Sequence, residues 1–134
     1  MIWGPQDDQF PAASRDLFLN TSYKMSPDSD RTGIRLQGPA IERRTDIEES
    51  IISEGVIAGS IQIPGDGKPI IILGETVTGG YRKIATVIAA DLPLLGQIKP
   101  GDELHFVAVS GKSAYRALHE MEERILRFEE GLSA

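Results

Sequence analysis

Two β-branched runs separated by a glycine- and proline-containing turn constrain the fold of this chain most. The first run ends at Ile61-Gln62-Ile63, residues 65–69 read Gly-Asp-Gly-Lys-Pro, and the second run covers residues 70–73. Asp-Gly between β-branched segments is a strong hairpin signal. The second run has no polar alternation, which predicts a strand that is buried on both faces or lies inside a closed barrel.

A pair of glycines and a lone lysine follow this predicted hairpin. Thr78-Gly79-Gly80-Tyr81 interrupts the strand pattern, and Lys83 then precedes an apolar run that ends at Ala90. Adjacent glycines permit positive φ and a close approach to the backbone. A single cation between a glycine turn and a core segment is the most function-like feature of the sequence. The alternative is a surface lysine at a strand end.

The flanking patterns predict short strands and a few helices. We expect strands at residues 22–25, 33–36 and 103–109, a short helix at 11–19, and another after Asp91, which is a plausible helix cap. A final helix should run to about residue 130, with an apolar stripe at Ala114, Leu118, Met121, Ile125 and Phe128. We expect this stripe to pack on the chain's own barrel; a partner contact is the alternative.

Composition excludes several classes of function. The 134 residues suit one domain, and the net charge of −6 with no basic block argues against nucleic-acid binding. The chain has no cysteine and only 2 histidines, so we expect no metal site and no thiolate nucleophile. No apolar run approaches the roughly 20 residues of a membrane helix. No secretory leader pattern is present, so a cytoplasmic protein without membrane contact is expected.

Several motifs in order carry a family resemblance. They read IWGPQDDQF at residues 2–10, SPDSDRTGIRLQGP at 26–39, and SEGVIAGSIQIPGDGKPIIIL followed by TGGYRKIATVIAADLPLLGQIKPGD within 53–102. The chain resembles the C-terminal half of the biotin-dependent carboxyltransferase-like family, over residues 2–109. That family includes allophanate hydrolase subunit 2, the KipI antagonist and the C subunit of 5-oxoprolinase. The chain departs from the usual sequence of this family at two places, which bear on the substrate more than on the fold. Glu75-Thr76-Val77-Thr78 stands where the family often has Gln-Thr-Thr, and Arg82 stands where it often has proline.

The resemblance implies a fold and a place in a larger assembly. The implied fold is mainly β, a closed β-barrel of the cyclophilin-like type with short helices and a C-terminal helix. Residues 1–134 would form a single domain that corresponds to the second half of the carboxyltransferase-like subunit. We expect the domain to be inactive alone, because the family's N-terminal half would supply one wall of the site. Expected partners are a protein like KipI or like the B subunit of 5-oxoprolinase, a chain that supplies the missing half, and further copies of itself.

The resemblance also implies a function with an alternative. The implied function is a carboxyltransferase-like subunit or fragment of an amide-processing complex, in 5-oxoproline opening or allophanate and urea degradation. It would bind a small amide or lactam. No cofactor would be bound directly, and biotin or ATP would enter through partner subunits. The alternative is a regulatory protein that antagonises a KipI-like inhibitor of a histidine kinase. A small-ligand-binding barrel without chemistry is the third hypothesis.

Six residues are the candidates for the site. Lysine can hold a carboxylate or a carboxybiotin-type anion as a point charge, and arginine suits planar bidentate recognition of carboxylates. A glutamine amide both donates to and accepts from a urea-like or lactam ligand. The expected catalytic residues are Lys83 and Arg31, and the expected substrate-binding residues are Arg35, Gln62, Tyr81 and Gly80.

Several of these candidates have a structural alternative. Arg31 and Arg35 could pair with Asp28, Asp30 or Glu54, and the Tyr81 ring could be core with its hydroxyl at the rim. Glu54 and Asp91 could serve as general bases, although nothing in the sequence indicates a raised pKa. The pair Arg43-Arg44 is most simply interpreted as a solvated surface pair.

Overall fold

A computed structural model describes residues 1–48, 51–74 and 78–133 of the chain. Two short 3-10 helices lie at Asp7–Gln9 and Ala89–Asp91. The strands are β1 (Ile2–Trp3), β2 (Tyr23–Met25), β3 (Gly33–Gln37), β4 (Glu54–Gly55), β5 (Ser60–Ile63), β6 (Ile70–Ile72), β7 (Thr78–Gly79), β8 (Arg82–Thr86) and β9 (Glu103–Leu104). The helices are α1 (Ala12–Asn20), α2 (Leu92–Leu95) and α3 (Gly111–Ser133).

The strands form one large sheet and one small sheet. The large sheet has 7 strands in the order β1-β8-β5-β6-β3-β2-β9, and every neighbouring pair is antiparallel. Within the described residues, the small sheet consists of β4 and β7, and Glu54 pairs with Gly79 across it. The expected β5–β6 hairpin across the Asp-Gly turn is confirmed, with Ile61 opposite Ile71.

The expectation of a closed barrel is wrong. The sheet is an open, mainly antiparallel half-barrel whose two edge strands, β1 and β9, are not paired as a ladder within the described residues. Met1, next to β1, contacts the segment after β9: its amino group donates to the Val107 carbonyl at 2.9 Å, and its carbonyl accepts from the Val109 amide at 2.9 Å. The sequence did not predict the open sheet because strand periodicity reports burial rather than closure.

One apolar face of the sheet carries the core. Ile34, Ile71, Ile61 and Ala85 are successive cross-strand partners on β3, β6, β5 and β8, and each is at most 1% exposed. Directly opposed residues of antiparallel strands project to the same face, so these four form a continuous apolar row. Helix α1 adds Phe18, which stacks on Phe106 with ring centroids 4.6 Å apart.

A β-bulge in β8 decides which side chains face which way. Ile61 pairs with Ala85, but the next residue, Gln62, pairs with Lys83, so Ile84 is an extra residue on β8. Strict alternation would place Lys83 on the same face as Ala85. The bulge instead gives Lys83 the face of Gln62, opposite to the core row.

The flanking elements follow the sequence closely, with differences at their ends. The expected strand at 33–36 is β3, in which Ile34 and Leu36 are buried and Arg35 is exposed. Asp91 stands at the N-cap of α2 but makes no side-chain cap bond. The expected strand at 103–109 pairs as a ladder only over β9. Ser110 does cap α3, because its hydroxyl accepts from the Ser113 amide at 3.1 Å.

The leading interpretation of the apolar stripe on α3 is wrong beyond the middle of the helix. Ala114, Leu118 and Met121 are half-buried, whereas Ile125 is 50% and Phe128 is 68% exposed. A helix of 23 residues is about 34 Å long, and the element that it chiefly contacts is the short 3-10 helix at Ala89–Asp91. The second half of α3 therefore presents apolar side chains that no described part of the chain covers. No helix among the described residues is long and apolar enough to cross a membrane.

Gly4 allows β1 and the segment after it to lie directly against β8. A Cβ on this residue would overlap the Lys83 carbonyl oxygen and come within 2.9 Å of the Ala85 nitrogen. We predict that Gly4→Ala lowers the free energy of unfolding by about 1–3 kcal/mol, because backbone atoms cannot move aside cheaply. Gly96→Ala is the matched control, since its nearest neighbour is 3.6 Å away. Urea denaturation of both variants measures this, and equal stabilities would contradict it.

Tyr23 gives the stability a specific dependence on alkaline pH. Burial raises the pKa of Tyr23 to about 12, and the Thr21 hydroxyl offsets part of the rise. The unfolded chain ionises near pH 10, so this stabilisation is complete below pH 10 and is lost as the pH rises towards 12. Between pH 10 and pH 12, the free energy of unfolding of the native chain should fall by about 2–3 kcal/mol more than that of Tyr23→Phe. Denaturation of both proteins across this pH range tests it, and parallel curves would refute it.

Candidate functional site

Lys83 is the centre of a polar cluster that also contains the buried Gln6 and Gln62 and the Glu54 carboxylate, whose side chain is 42% exposed. We call this set the lysine cluster. The Lys83 side chain is 5% exposed, and its Nζ donates to Glu54 Oε1 at 2.6 Å. Gln6 Nε2 donates to the same oxygen at 2.8 Å, and Gln6 Oε1 accepts from the Lys83 amide at 3.0 Å. Lys83 is therefore not the surface lysine of the alternative interpretation.

The pairing sets the charge state of Glu54. Hydrogen bonds from Lys83 and then from Gln6 lower the pKa of the Glu54 carboxyl below its usual value, and burial opposes this effect. A carboxylate with a lowered pKa is a weaker base, so Glu54 acts here as a counter-charge rather than as a poised general base. No local pattern in the sequence indicates this partner, and Glu54 was considered for Arg31 and Arg35 instead.

Gln62 lies beneath the small sheet. It is 6% exposed and stands directly opposite Lys83 across β5 and β8. A Cβ on Gly79 would lie 2.5 Å from Gln62 Nε2, so glycine at this position lets β7 cover the amide. Neither Gly79 nor Gly80 has positive φ. Close approach, and not an unusual backbone conformation, is what this glycine pair provides.

Gly80 and Tyr81 flank the cluster with different surroundings. The Gly80 carbonyl accepts from the Ile51 amide at 2.9 Å. This bond attaches the segment before β4 to the residue that follows β7. Tyr81 is 42% exposed. Their assignment to substrate binding stays a prediction. The Glu75-Thr76-Val77 part of the family departure lies outside the described residues.

The two expected arginines do not join Lys83. Arg35 shares the cross-strand row Arg35-Ile70-Gln62-Lys83, but it lies three strands from Lys83, about 14 Å at normal strand spacing. It lines a separate cavity of about 230 Å³ with Asp28 and Asp66. Arg31 is exposed in the bend that precedes β3. A catalytic role for Arg31 stays a prediction without geometric support.

An arginine cleft that the sequence did not predict lies at the start of β8. Its volume is about 550 Å³, and its lining includes Phe10, Ile41, Arg43, Ile63 and Arg82. Arg82 pairs with Ile63 across the strands and is 4% exposed. Arg82 and Arg44 also line a broader depression of about 890 Å³ that Gln6 and Glu54 share. The cleft and the lysine cluster therefore meet around the first residues of β8.

Within the described residues, no three histidine, aspartate or glutamate side chains are grouped so that they could hold a metal ion. The lysine cluster offers a cation, a carboxylate and an amide joined by hydrogen bonds, and the Gln62 amide on the residue opposite Lys83. Such a set can orient a planar ligand that carries both donors and acceptors, and it can stabilise negative charge that develops on that ligand.

Residues 1–108 match the family model described as "Carboxyltransferase domain, subdomain A and B". The chain belongs to the carboxyltransferase domain family. The matched segment includes the whole lysine cluster and the arginine cleft, and it excludes α3. The resemblance on the ordered motifs is thereby confirmed.

Two relatives show how this carboxyltransferase domain compares with longer proteins. The chain is 38% identical over 120 residues to the C subunit of 5-oxoprolinase from Escherichia coli, covering 89% of this chain and 38% of that protein. The solved structure of the Kluyveromyces lactis urea carboxylase superposes with a TM-score of 0.87 at 31% identity, over 97% of this chain and 12% of that one. The chain thus spans well under half the length of the relatives it matches.

The ion pair in the lysine cluster makes a direct prediction about Glu54. In the native chain the Glu54 carboxyl should titrate below its usual pKa, and Lys83→Met should return that pKa towards or above the usual value, because the main cause of the shift is removed. Carboxyl-detected NMR titration measures both. Lys24→Met on β2 is the matched control and should leave the pKa unchanged. An unaltered Glu54 pKa in Lys83→Met would contradict the pairing.

Proposed function

We propose that the chain is a carboxyltransferase-like subunit, or part of one, in a complex that processes a small amide or lactam. The observation that carries the proposal is the lysine cluster, in which a buried cation, its carboxylate partner and two amides surround the start of β8. The similarity to the C subunit of 5-oxoprolinase and to urea carboxylase supports amide substrates, since both proteins are named for such chemistry.

The mechanism that we propose relies on positioning and electrostatics. Gln62 and Gln6 would orient the amide group of the ligand, because each side chain can donate to its oxygen and accept from its nitrogen. Lys83 would stabilise negative charge that develops on the ligand, while Glu54 holds the amine in position through its hydrogen bond. Holding two reactants in this way contributes much of the rate enhancement in such reactions and requires no nucleophilic side chain.

We further propose that the site works only in an assembly. The relatives that match this chain are a named subunit and a much longer protein, so other chains or domains accompany the matched region in both. The proposed partners are a protein like KipI or like the B subunit of 5-oxoprolinase, and a further carboxyltransferase region. Any biotin or ATP would be handled by those partners. The purified chain alone should therefore turn over none of the three candidate substrates.

A turnover assay on the reconstituted complex tests the function. We expect the chain, combined with its partner subunits, to turn over 5-oxoproline, urea or allophanate. Lys83→Met should lower kcat/KM about 100-fold, as is typical when one electrostatic group is removed from a site. Lys24→Met, an exposed lysine on β2, is the control and should retain full activity. Failure to turn over all three substrates, or full activity in Lys83→Met, would reject the assignment.

A regulatory role is the second candidate function, and the exposed apolar residues of α3 favour it. Ile125, Leu126 and Phe128 are each at least 50% exposed, and such surfaces mark partner contacts. In this role the chain would bind and antagonise a KipI-like inhibitor. Co-purification of the KipI-like protein without any turnover by the resulting complex would favour regulation over catalysis.

A further inference from the structure

The arginine cleft has features that neither the ion pair of the lysine cluster nor the fold explains. Its Arg43 was expected to be solvated, yet the side chain is half-buried and the Nε atom is fully buried. Within the described part of the chain, this Nε contacts no hydrogen-bond acceptor. A buried guanidinium donor without an acceptor costs free energy, and a bound ligand is one way to satisfy it.

The second guanidinium of the cleft is more deeply buried. Arg82 is 4% exposed, and its Nε donates to the Gln9 side-chain oxygen. Burial and then the neighbouring Arg43 charge lower the pKa of the Arg82 guanidinium, while Glu48 opposes this change. Both arginines line the same cleft, so their like charges repel each other. An anion bound between them would relieve this repulsion.

The segment that carries Arg43 is fixed although it forms no helix or strand. The Ile41 amide donates to the Gly67 carbonyl at 2.7 Å, and the Arg44 amide donates to the Gln9 carbonyl at 3.0 Å. The Ser14 hydroxyl donates to the Glu42 carbonyl at 2.7 Å. These bonds attach residues 41–44 to three different elements. Arg43 is therefore held in place before any ligand arrives, which reduces the entropy lost on binding.

The third arginine of the cleft differs from the other two. Arg44 makes two hydrogen bonds to Asp46, at 3.0 and 2.6 Å, so its guanidinium already has a planar carboxylate partner. This pair shows the geometry that a guanidinium on this segment adopts with a carboxylate. Glu42 and Asp66 also line the cleft and are exposed at its rim. They would disfavour highly charged anions more than a monovalent one.

We propose that the arginine cleft is a binding site for a small organic carboxylate, held by Arg43 and Arg82. A guanidinium matches the planar, two-oxygen shape of a carboxylate, and the apolar side chains of Phe10, Ile41 and Ile63 suit the carbon skeleton of an organic acid. The inference rests on the proposed function only for the choice of probe. 5-Oxoproline combines a lactam with a carboxylate, whereas urea has no carboxylate.

An NMR titration of the native chain tests the proposal directly. L-5-oxoproline, acetate, 2-pyrrolidinone and inorganic phosphate are each added to the nitrogen-15-labelled protein. We expect saturable shifts of the Arg43 and Arg82 side-chain N–H signals with 5-oxoproline and with acetate. 2-Pyrrolidinone, which is the same lactam ring without the carboxylate, should cause no such shifts. No saturable shift with either carboxylate, or saturation by phosphate alone, would overturn the proposal.

Variants separate the site from the rest of the surface. Arg43→Gln should weaken 5-oxoproline binding about tenfold or more, and Arg43→Lys should weaken it less because the charge remains. Arg127→Gln, which removes the same charge from an exposed position on α3, is the control and should bind as the native chain does. Equal binding by Arg43→Gln and the native chain would refute the site. Carboxylate binding in a complex that turns over only urea would sustain this site while rejecting a lactam substrate.

Discussion

The ion pair between Lys83 and Glu54 joins three separate parts of the chain. It links β8 of the large sheet to β4 of the small sheet, and the same carboxylate oxygen accepts from Gln6 in the segment after β1. A buried amine would be costly without such a partner, since the charged form is desolvated on burial. The position of the small sheet over Gln62 therefore depends on a charge interaction as well as on backbone pairing.

The sequence predicted the elements of this structure better than their assembly. The β5–β6 hairpin, β3 with its single outward arginine, and the cap of α3 at Ser110 all followed from local patterns. These features depend on turn chemistry and side-chain alternation, which are local properties. Closure of the barrel depends on whether the two distant edge strands, β1 and β9, pair with each other. Nothing in the periodicity of either strand reports that pairing.

The candidate site shows the same division between local and distant information. Lys83 and Gln62 were predicted from their unusual positions in apolar runs, and the structure places them side by side. Gln6 was not predicted and Glu54 was considered only in other roles, because their contacts with Lys83 span 77 and 29 residues of chain. Arg43 was assigned to the surface for a similar reason. The hydrogen bonds that join residues 41–44 to Gln9, Ser14 and Gly67 hold this irregular segment in place, and they connect residues that are distant in the sequence.

The bulge at Ile84 has a consequence for how the two sites can change. Without the extra residue, strict alternation would give Lys83 the face of Ala85 and would give Arg82 the opposite face. Here Arg82 and Lys83 leave β8 on opposite faces, Arg82 towards Ile63 and Lys83 towards Gln62. The one extra residue thus sets the faces of Arg82 and Lys83 together. A deletion that restored strict pairing would move the lysine out of its cluster and the arginine out of its cleft in a single step, so the two sites are coupled through the register of this strand.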